Sequence, residues 1–332
     1  KIEPKEKKVR LSNGSIEDYD KLLVAVGGVP IEPPIPGLDK LKKKFTFQTI
    51  GDALSLERAL GKKKDKRVLI LGGGLIGLKC AEGIGPKAKS ITVVDREDHI
   101  LPSILDAEGA AYVQKAGEAA GINFLLKENA VKFTEKAMET AGGKTIDFDI
   151  LVLAAGVRAN SDLVKEAGGE VGYGIKTNAK NETSLKDIYA AGDCAESRDF
   201  VDGQDKVLAL LPNAYMGGEN AGLNMAGAEH CFTNAIAVNA LKFWGQHLIT
   251  AGQPIGEVYA KVEGDNYKKF FYSEDLLKGF IVIGDVARSG IYTSLIRNAT
   301  PLSEIDFDLI KEKPQLMAFS SKVRAEELGG KK

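Results

Sequence analysis

Short, continuous apolar runs alternate along this chain with stretches in which apolar residues recur every three or four positions, the pattern of a buried parallel sheet covered by helices. Lys21-Leu22-Leu23-Val24-Ala25-Val26 runs into Gly27-Gly28 and predicts a buried strand. Ahead of it, residues 7–11 and 15–19 flank Ser12-Asn13-Gly14. Asn-Gly supplies the positive φ of a tight hairpin turn there. Pro30, Pro33, Pro34 and Pro36 break the pattern and predict a linker, because proline gives a ladder no N–H. A helix is expected over 51–60. Next come a strand at 67–71, a glycine turn, a helix at 75–84 and a strand at 90–95. A helix over about 106–120 and strands near 122–126 and 148–154 complete a doubly wound α/β layout. Then follow a short helix at 161–167, a strand at 187–191 and a helix of small residues over about 213–226. From 255 onward, short strands (257–262, 267–272, 278–284), a helix at 290–298 and a proline-interrupted tail predict a small α+β unit.

The glycine turn carries the first chemistry. Gly72-Gly73-Gly74-Leu75-Ile76-Gly77 satisfies G-x-G-x-x-G directly after the strand Val68-Leu69-Ile70-Leu71 and at the mouth of a helix. In that setting Gly72 makes the tight turn, Gly74 lets a pyrophosphate approach the backbone, and Gly77 lets helix and strand pack closely. The free N–H groups of the helix start then hold phosphate. The next strand ends in Asp95, 18 residues after Gly77, where a carboxylate can accept from adenosine ribose hydroxyls. A negative charge at that place disfavours a 2′-phosphate, so NAD is expected over NADP, with Arg96 offsetting part of the effect.

Composition narrows the classes. The 332 residues carry a net charge of −1, with 44% apolar and 27% charged residues, an ordinary globular composition with no field that would attract nucleic acid or an anionic membrane. The basic run Lys62-Lys63-Lys64-Asp65-Lys66-Arg67 leads straight into a strand and is expected as a solvated linker. No apolar run reaches the roughly 18 residues of a membrane span, and no leader is visible, so a cytoplasmic protein is expected. Three cysteines without a CxxC pair argue against a disulfide framework or structural zinc, and no metal ligands are assigned.

Four segments recur in a telling order: Leu23-Val24-Ala25-Val26-Gly27-Gly28; the glycine turn; Leu151-Val152-Leu153-Ala154-Ala155-Gly156-Val157-Arg158-Ala159-Asn160; and Asp187-Ile188-Tyr189-Ala190-Ala191-Gly192-Asp193. In these the sequence resembles the pyridine nucleotide–disulfide oxidoreductase superfamily over essentially its whole length. Its motifs look most like the NADH:rubredoxin reductases and the flavoprotein part of NADH-dependent nitrite reductases. The resemblance implies a fold with two Rossmann-like dinucleotide domains. FAD portions are expected at 1–41 and 166–253, an inserted NAD domain at 42–165, and an α+β domain at 254–332. It implies FAD and NAD as cofactors, with Ala25, Gly27, Gly192, Asp193, Pro212, Asn213 and Ala214 at the flavin. Gly72, Gly74, Leu75, Ile76, Gly77, Asp95, Arg96 and Gly156 fall at the nicotinamide dinucleotide. A second glycine fingerprint, which the family uses for the FAD pyrophosphate, does not occur, so the FAD domain is expected to be incomplete.

Disulfide reductases of the superfamily use a His-Glu pair as acid and base. None of His99, His230 and His247 has that context. They also favour glutamate where this chain has Lys79. The expectation is therefore hydride transfer from NADH to flavin and delivery of electrons to a small iron protein such as rubredoxin or an iron–sulfur carrier, with no side chain assigned as catalytic. The alternatives are an NAD-binding fragment or subunit without flavin, or half of a split flavoprotein completed by a partner chain. Cys80, Cys194 and Cys231 are expected to be structural.

Overall fold

A five-stranded parallel sheet forms the centre of the chain in the computed structural model, which describes residues 1–321 and Arg324. Its strands lie in the order Lys44–Phe45, Ile150–Leu153, Arg67–Leu71, Ser90–Val94 and Ile122–Leu125. Arg67–Leu71 sits between two neighbours, and Val68, Leu69 and Ile70 are almost fully buried, which explains why that strand is apolar on both faces. Arg67 reaches across to the Asp149 carboxylate with its Nε and Nη2, both at 3.2 Å. That guanidinium holds the Asp149 carboxyl below the usual carboxylate range.

The helices start where the sequence supplies caps. Thr49 and Asp52 form a reciprocal capping box at the head of Ile50–Leu60. Asp106 accepts from the Gly109 N–H at 2.8 Å at the head of Ala107–Ala119. Leu75–Ile84 opens instead on Gly74, with no side-chain cap, so its first N–H groups stay available.

Three features differ from the sequence reading. Residues 130–147 form a small antiparallel meander of Ala130–Phe133, Ala137–Thr140 and Thr145–Asp147, whose short, Lys- and Glu-bearing strands show no clear alternation. Gly28–Pro30 pairs antiparallel with Val157–Ala159, so Pro30 closes a two-stranded ribbon rather than opening a free linker. Proline is tolerated there because an edge position needs no donor.

The largest difference concerns residues 238–252, expected in the flavin portion. They form the hairpin Val238–Phe243 and Gln246–Gly252, which pairs with Leu276–Ile283 in a five-stranded antiparallel C-terminal sheet. Its turn is Trp244-Gly245, both residues at positive φ, and tryptophan there is no recognisable turn signal.

That sheet is covered on both faces. On one side Phe270, Phe280, Tyr292 and Ile310 form a core with the helices that follow. On the other, Phe243, Leu248, Tyr267 and Ile283 share one core with Leu78, Val113 and Ile70 of the parallel-sheet unit. Polar contacts pin the same boundary. Lys79 Nζ donates to Glu82 at 2.8 Å and to the Lys242 carbonyl, and lies 4.6 Å from the Phe243 ring centre. The Tyr267 hydroxyl donates to Asp106 at 2.9 Å.

Two shorter parallel strands, Leu22–Val24 and Ile188–Ala190, stand apart from the central sheet beside the helix Leu211–Met225.

Candidate functional site

At the C-terminal ends of Arg67–Leu71 and its neighbours the sheet opens into a cavity of about 540 Å3. This is where open α/β sheets bind ligands. Gly72, Gly74, Asp95, Arg96 and Gly156 all line it. The glycine requirement at the turn is geometric. Gly72 has φ +117, and a Cβ there would lie 2.1 Å from the Ala154 carbonyl oxygen. A Cβ on Gly77 would lie 2.0 Å from the Gly72 carbonyl oxygen. Gly74 is different: nothing approaches its Cβ direction within 4 Å, which leaves open space over the helix N-terminus.

Asp95 is fixed rather than free. Its Oδ2 accepts from the Gly73 N–H at 2.6 Å and its Oδ1 from the Glu97 N–H at 2.9 Å. Each carboxylate oxygen keeps a further lone pair for a ribose hydroxyl. Arg96 is largely exposed and pairs with Glu97 at 3.2 Å. Leu75, Ile76 and Gly77 do not line the cavity; Gly77 is buried beneath the turn, and Leu75 packs on the core.

The sequence reading missed part of the wall. Ile31, Glu97, Pro102, Ser103, Glu128 and Asn129 also line it. Pro102 and Ser103 come from the 96–105 loop, which is tied to the glycine turn by the Leu101 N–H donating to the Gly73 carbonyl at 2.9 Å. A loop directly after the acidic strand end was the available signal.

The second set of expected residues meets elsewhere. The Ala191 N–H and the Cys194 thiol both reach the Val24 carbonyl, and the Asn160 N–H donates to the Gly27 carbonyl. A Cβ on Gly192 would lie 3.6 Å from Ala214 Cβ. Ala25, Gly27, Gly192, Asp193, Pro212, Asn213 and Ala214 are thereby gathered at the ends of two parallel strands and one helix start. Gly192 and Gly27 both have positive φ.

Three observations test whether a flavin ribityl chain and ring would fit. The Asp193 carboxylate has no hydrogen-bond partner among the described residues, and burial pushes it up from its ordinary value. The Asn213 side chain donates to the Ile236 carbonyl at 3.0 Å but leaves its buried Oδ1 without a partner. The helix Leu211–Met225 has no side-chain cap, so its positive end faces outward unneutralised. Two acceptors, the Asp193 carboxylate and the Asn213 Oδ1, and the dipole of an uncapped helix start remain available, and the residues fit the group.

The cysteines offer no redox pair. Burial pushes the Cys80 thiol up to about 12 and raises that of Cys194 as well. No disulfide joins the three cysteines, and Cys231 is exposed. Among the described residues there is no cluster able to hold a metal ion, and no helix long and apolar enough to cross a membrane. Lys79, which stands where disulfide reductases favour glutamate, is occupied in the contact with the C-terminal sheet.

The profile of the family described as "Pyridine nucleotide-disulphide oxidoreductase" matches residues 1–218. The chain is 29% identical over 308 residues to the NADH-dependent phenylglyoxylate dehydrogenase subunit epsilon of Aromatoleum evansii, covering 89% of this chain and 72% of that one. It is 37% identical over 204 residues to a rubredoxin-NAD(+) reductase of Acinetobacter baylyi, covering 59% of this chain and 52% of that protein. Several other curated relatives are likewise matched over about half of their length or less. The reductase in the covalent putidaredoxin reductase–putidaredoxin complex superposes with a TM-score of 0.85 over 99% of this chain and 80% of that one. At 20% identity this likeness speaks for the fold alone.

Proposed function

The chain belongs to the pyridine nucleotide-disulphide oxidoreductase family, and we propose that it serves as an NADH-dependent flavoprotein reductase of a small iron protein. The observation that carries the proposal is the pair of sites just described. One is a phosphate-ready glycine turn with a fixed acidic ribose acceptor. The other is a strand-end site whose carboxylate and helix start lack partners. In this reading Gly72, Gly74 and the start of Leu75–Ile84 hold the NADH pyrophosphate, and Asp95 takes the adenosine ribose. Asp193 takes ribityl hydroxyls, while the head of Leu211–Met225 places its positive end where negative charge collects on reduction. When bound, FAD supplies the conversion of a hydride into single electrons. The protein orients the two groups and needs no side chain as acid or base.

Asp95 predicts the nucleotide preference. Replacing Asp95 with serine is expected to narrow the NADH-over-NADPH binding ratio severalfold, because the carboxylate held at the ribose position no longer repels a 2′-phosphate. Fluorescence titration with each nucleotide measures it; an unchanged ratio would place ribose recognition elsewhere.

The acceptor assignment rests on chemistry the described residues do not supply. Reducing a disulfide needs a proton donor for the leaving sulfur, whereas electron transfer to iron needs only docking and proximity. The buried, raised thiols of Cys80 and Cys194 fit the second case. A relative named as a rubredoxin reductase points the same way. Steady-state NADH oxidation by the FAD-supplied protein, with rubredoxin, glutathione disulfide and coenzyme A disulfide offered separately, tests it. Rubredoxin should be ahead by tenfold or more, about 1.4 kcal/mol in barrier; a disulfide ahead by that factor refutes the assignment.

A second reading is favoured by one comparison. One relative, matched over 89% of this chain, is named as the epsilon subunit of an NADH-dependent phenylglyoxylate dehydrogenase. In that reading the chain passes electrons from NADH within a complex, and a partner chain takes the place of the diffusible carrier.

A further inference from the structure

A second cavity, of about 220 Å3, lies where the 102–106 loop of the parallel-sheet unit meets the C-terminal sheet. It holds the volume of about seven waters, enough for one ring. Ser103, Asp106 and Gln253 line it at its edges, and its floor carries a cross-strand pair: Asn239 and Thr250 stand opposite each other in the Val238–Phe243/Gln246–Gly252 hairpin. Both are more than nine-tenths buried, at 8% and 6% exposure. Among the described residues their side chains make one hydrogen bond, a long one from Asn239 Nδ2 to Thr250 Oγ1 at 3.4 Å.

A carboxamide can make four hydrogen bonds and a hydroxyl three. Buried groups of this kind are normally paired. Beyond that one bond, the Asn239 Oδ1, its second N–H and the Thr250 proton have no protein partner among the described residues, and they stay open to the cavity rather than sealed in the core. They line the cavity beside Phe271, Phe280 and Pro254.

Charge narrows the occupant. Asp106 is the one charged residue among those lining the cavity. Its carboxylate already accepts from Lys269 Nζ at 2.6 Å, the Tyr267 hydroxyl and the Gly109 N–H. No cation lines the space, so an anion entering it would lose its hydration without compensation.

We infer that this cavity is a binding site for a small, neutral, single-ring carboxamide. Its amide would pair with the free donor and acceptor of Asn239, its carbonyl would take the Thr250 proton, and its ring would lie against Phe271 and Ile281, which face the same side of the sheet. Pro102 and Ser103 line this cavity and the nucleotide cavity alike. Leu101 between them and His99 is bonded to the glycine turn at Gly73. An occupant that sets the position of this loop therefore alters NADH affinity. That coupling rests on the nucleotide reading proposed above, whereas the site itself does not.

Calorimetric titration of the full chain with benzamide, with benzoate as the anionic control, tests the site. Saturable benzamide binding is expected, at least tenfold tighter than benzoate. It should weaken tenfold or more in both Asn239→Leu and the near-isosteric Thr250→Val, with melting curves confirming that each variant is folded. Saturating benzamide should also shift the NADH dissociation constant at least threefold in the native protein and leave it unmoved in Thr250→Val.

Absence of benzamide heat, equal binding of benzoate, or binding unaffected by Thr250→Val would show a merely hydrated cavity and overturn the inference. Competition with NADH that persists in Thr250→Val would place the probe in the nucleotide cavity and overturn it equally. Failure of NADH to bind in the absence of benzamide would count against the nucleotide reading alone.

Discussion

Replacing Gly74 with alanine is expected to weaken NADH binding at least tenfold while leaving the fold intact. Gly74 is the one glycine of the phosphate-binding turn whose added Cβ meets no protein atom within 4 Å, and its φ of −80 and ψ of −171 suit any residue. Folding therefore gives no reason for glycine there, and the cost at a helix N-cap should stay within about 1 kcal/mol. The open space above it is where the pyrophosphate must approach the backbone. A methyl group there moves the phosphate off the N–H groups of the helix start, and a tenfold loss corresponds to about 1.4 kcal/mol. Gly77→Ala is the contrasting variant, because its Cβ would collide with the Gly72 carbonyl inside the protein. Calorimetry with NADH and a thermal melt separate the two outcomes. Unchanged NADH affinity in a folded Gly74→Ala variant would mean that the turn is structural only.

Phe243→Ala is expected to destabilise the protein by about 3–5 kcal/mol. Phe243 is fully buried, yet it belongs to the C-terminal hairpin while its neighbours belong to the parallel-sheet unit. Its ring also lies under the Lys79 ammonium and beside Trp244, whose backbone N–H donates to Glu82 at 2.6 Å. Removing the ring opens a cavity in a core that both units share and strips Lys79 of its cation–π partner. Urea denaturation measures the loss. Because one core spans the boundary, the two units should unfold in a single transition in the native protein and lose cooperativity in the variant. A cost below about 1 kcal/mol would mean that the shared core contributes little.

Much of this architecture is legible in the sequence, for identifiable reasons. Arg67–Leu71 and Ile150–Leu153 are apolar throughout because both faces are covered, and the turn at Gly72 needs glycine because a carbonyl oxygen fills the Cβ position. Caps at Thr49 and Asp106 mark two helix starts. The hairpin at 238–252 escaped because its turn is built on Trp244-Gly245, and its apolar faces serve two different cores, which blurs the alternation. Lys79 is a similar case. Helical spacing cannot say that its ammonium leaves the nucleotide side to hold the Lys242 carbonyl. At the nucleotide site, Asp95 was readable from its place at a strand end. Glu128 and Asn129 were not, because they reach the cavity only through the fold of the strands that follow.

The central claim, that the glycine-turn site takes NADH and the strand-end site takes a flavin for hydride transfer between them, is tested most directly by anaerobic titration. The FAD-supplied protein receives NADH while the flavin's visible absorption is followed. The account predicts that stoichiometric NADH bleaches the oxidised flavin band, that Gly74→Ala shifts the titration to higher NADH, and that rubredoxin restores the colour. Flavin that stays fully oxidised in the presence of bound NADH, or a protein that takes up NADH and no flavin, would contradict it.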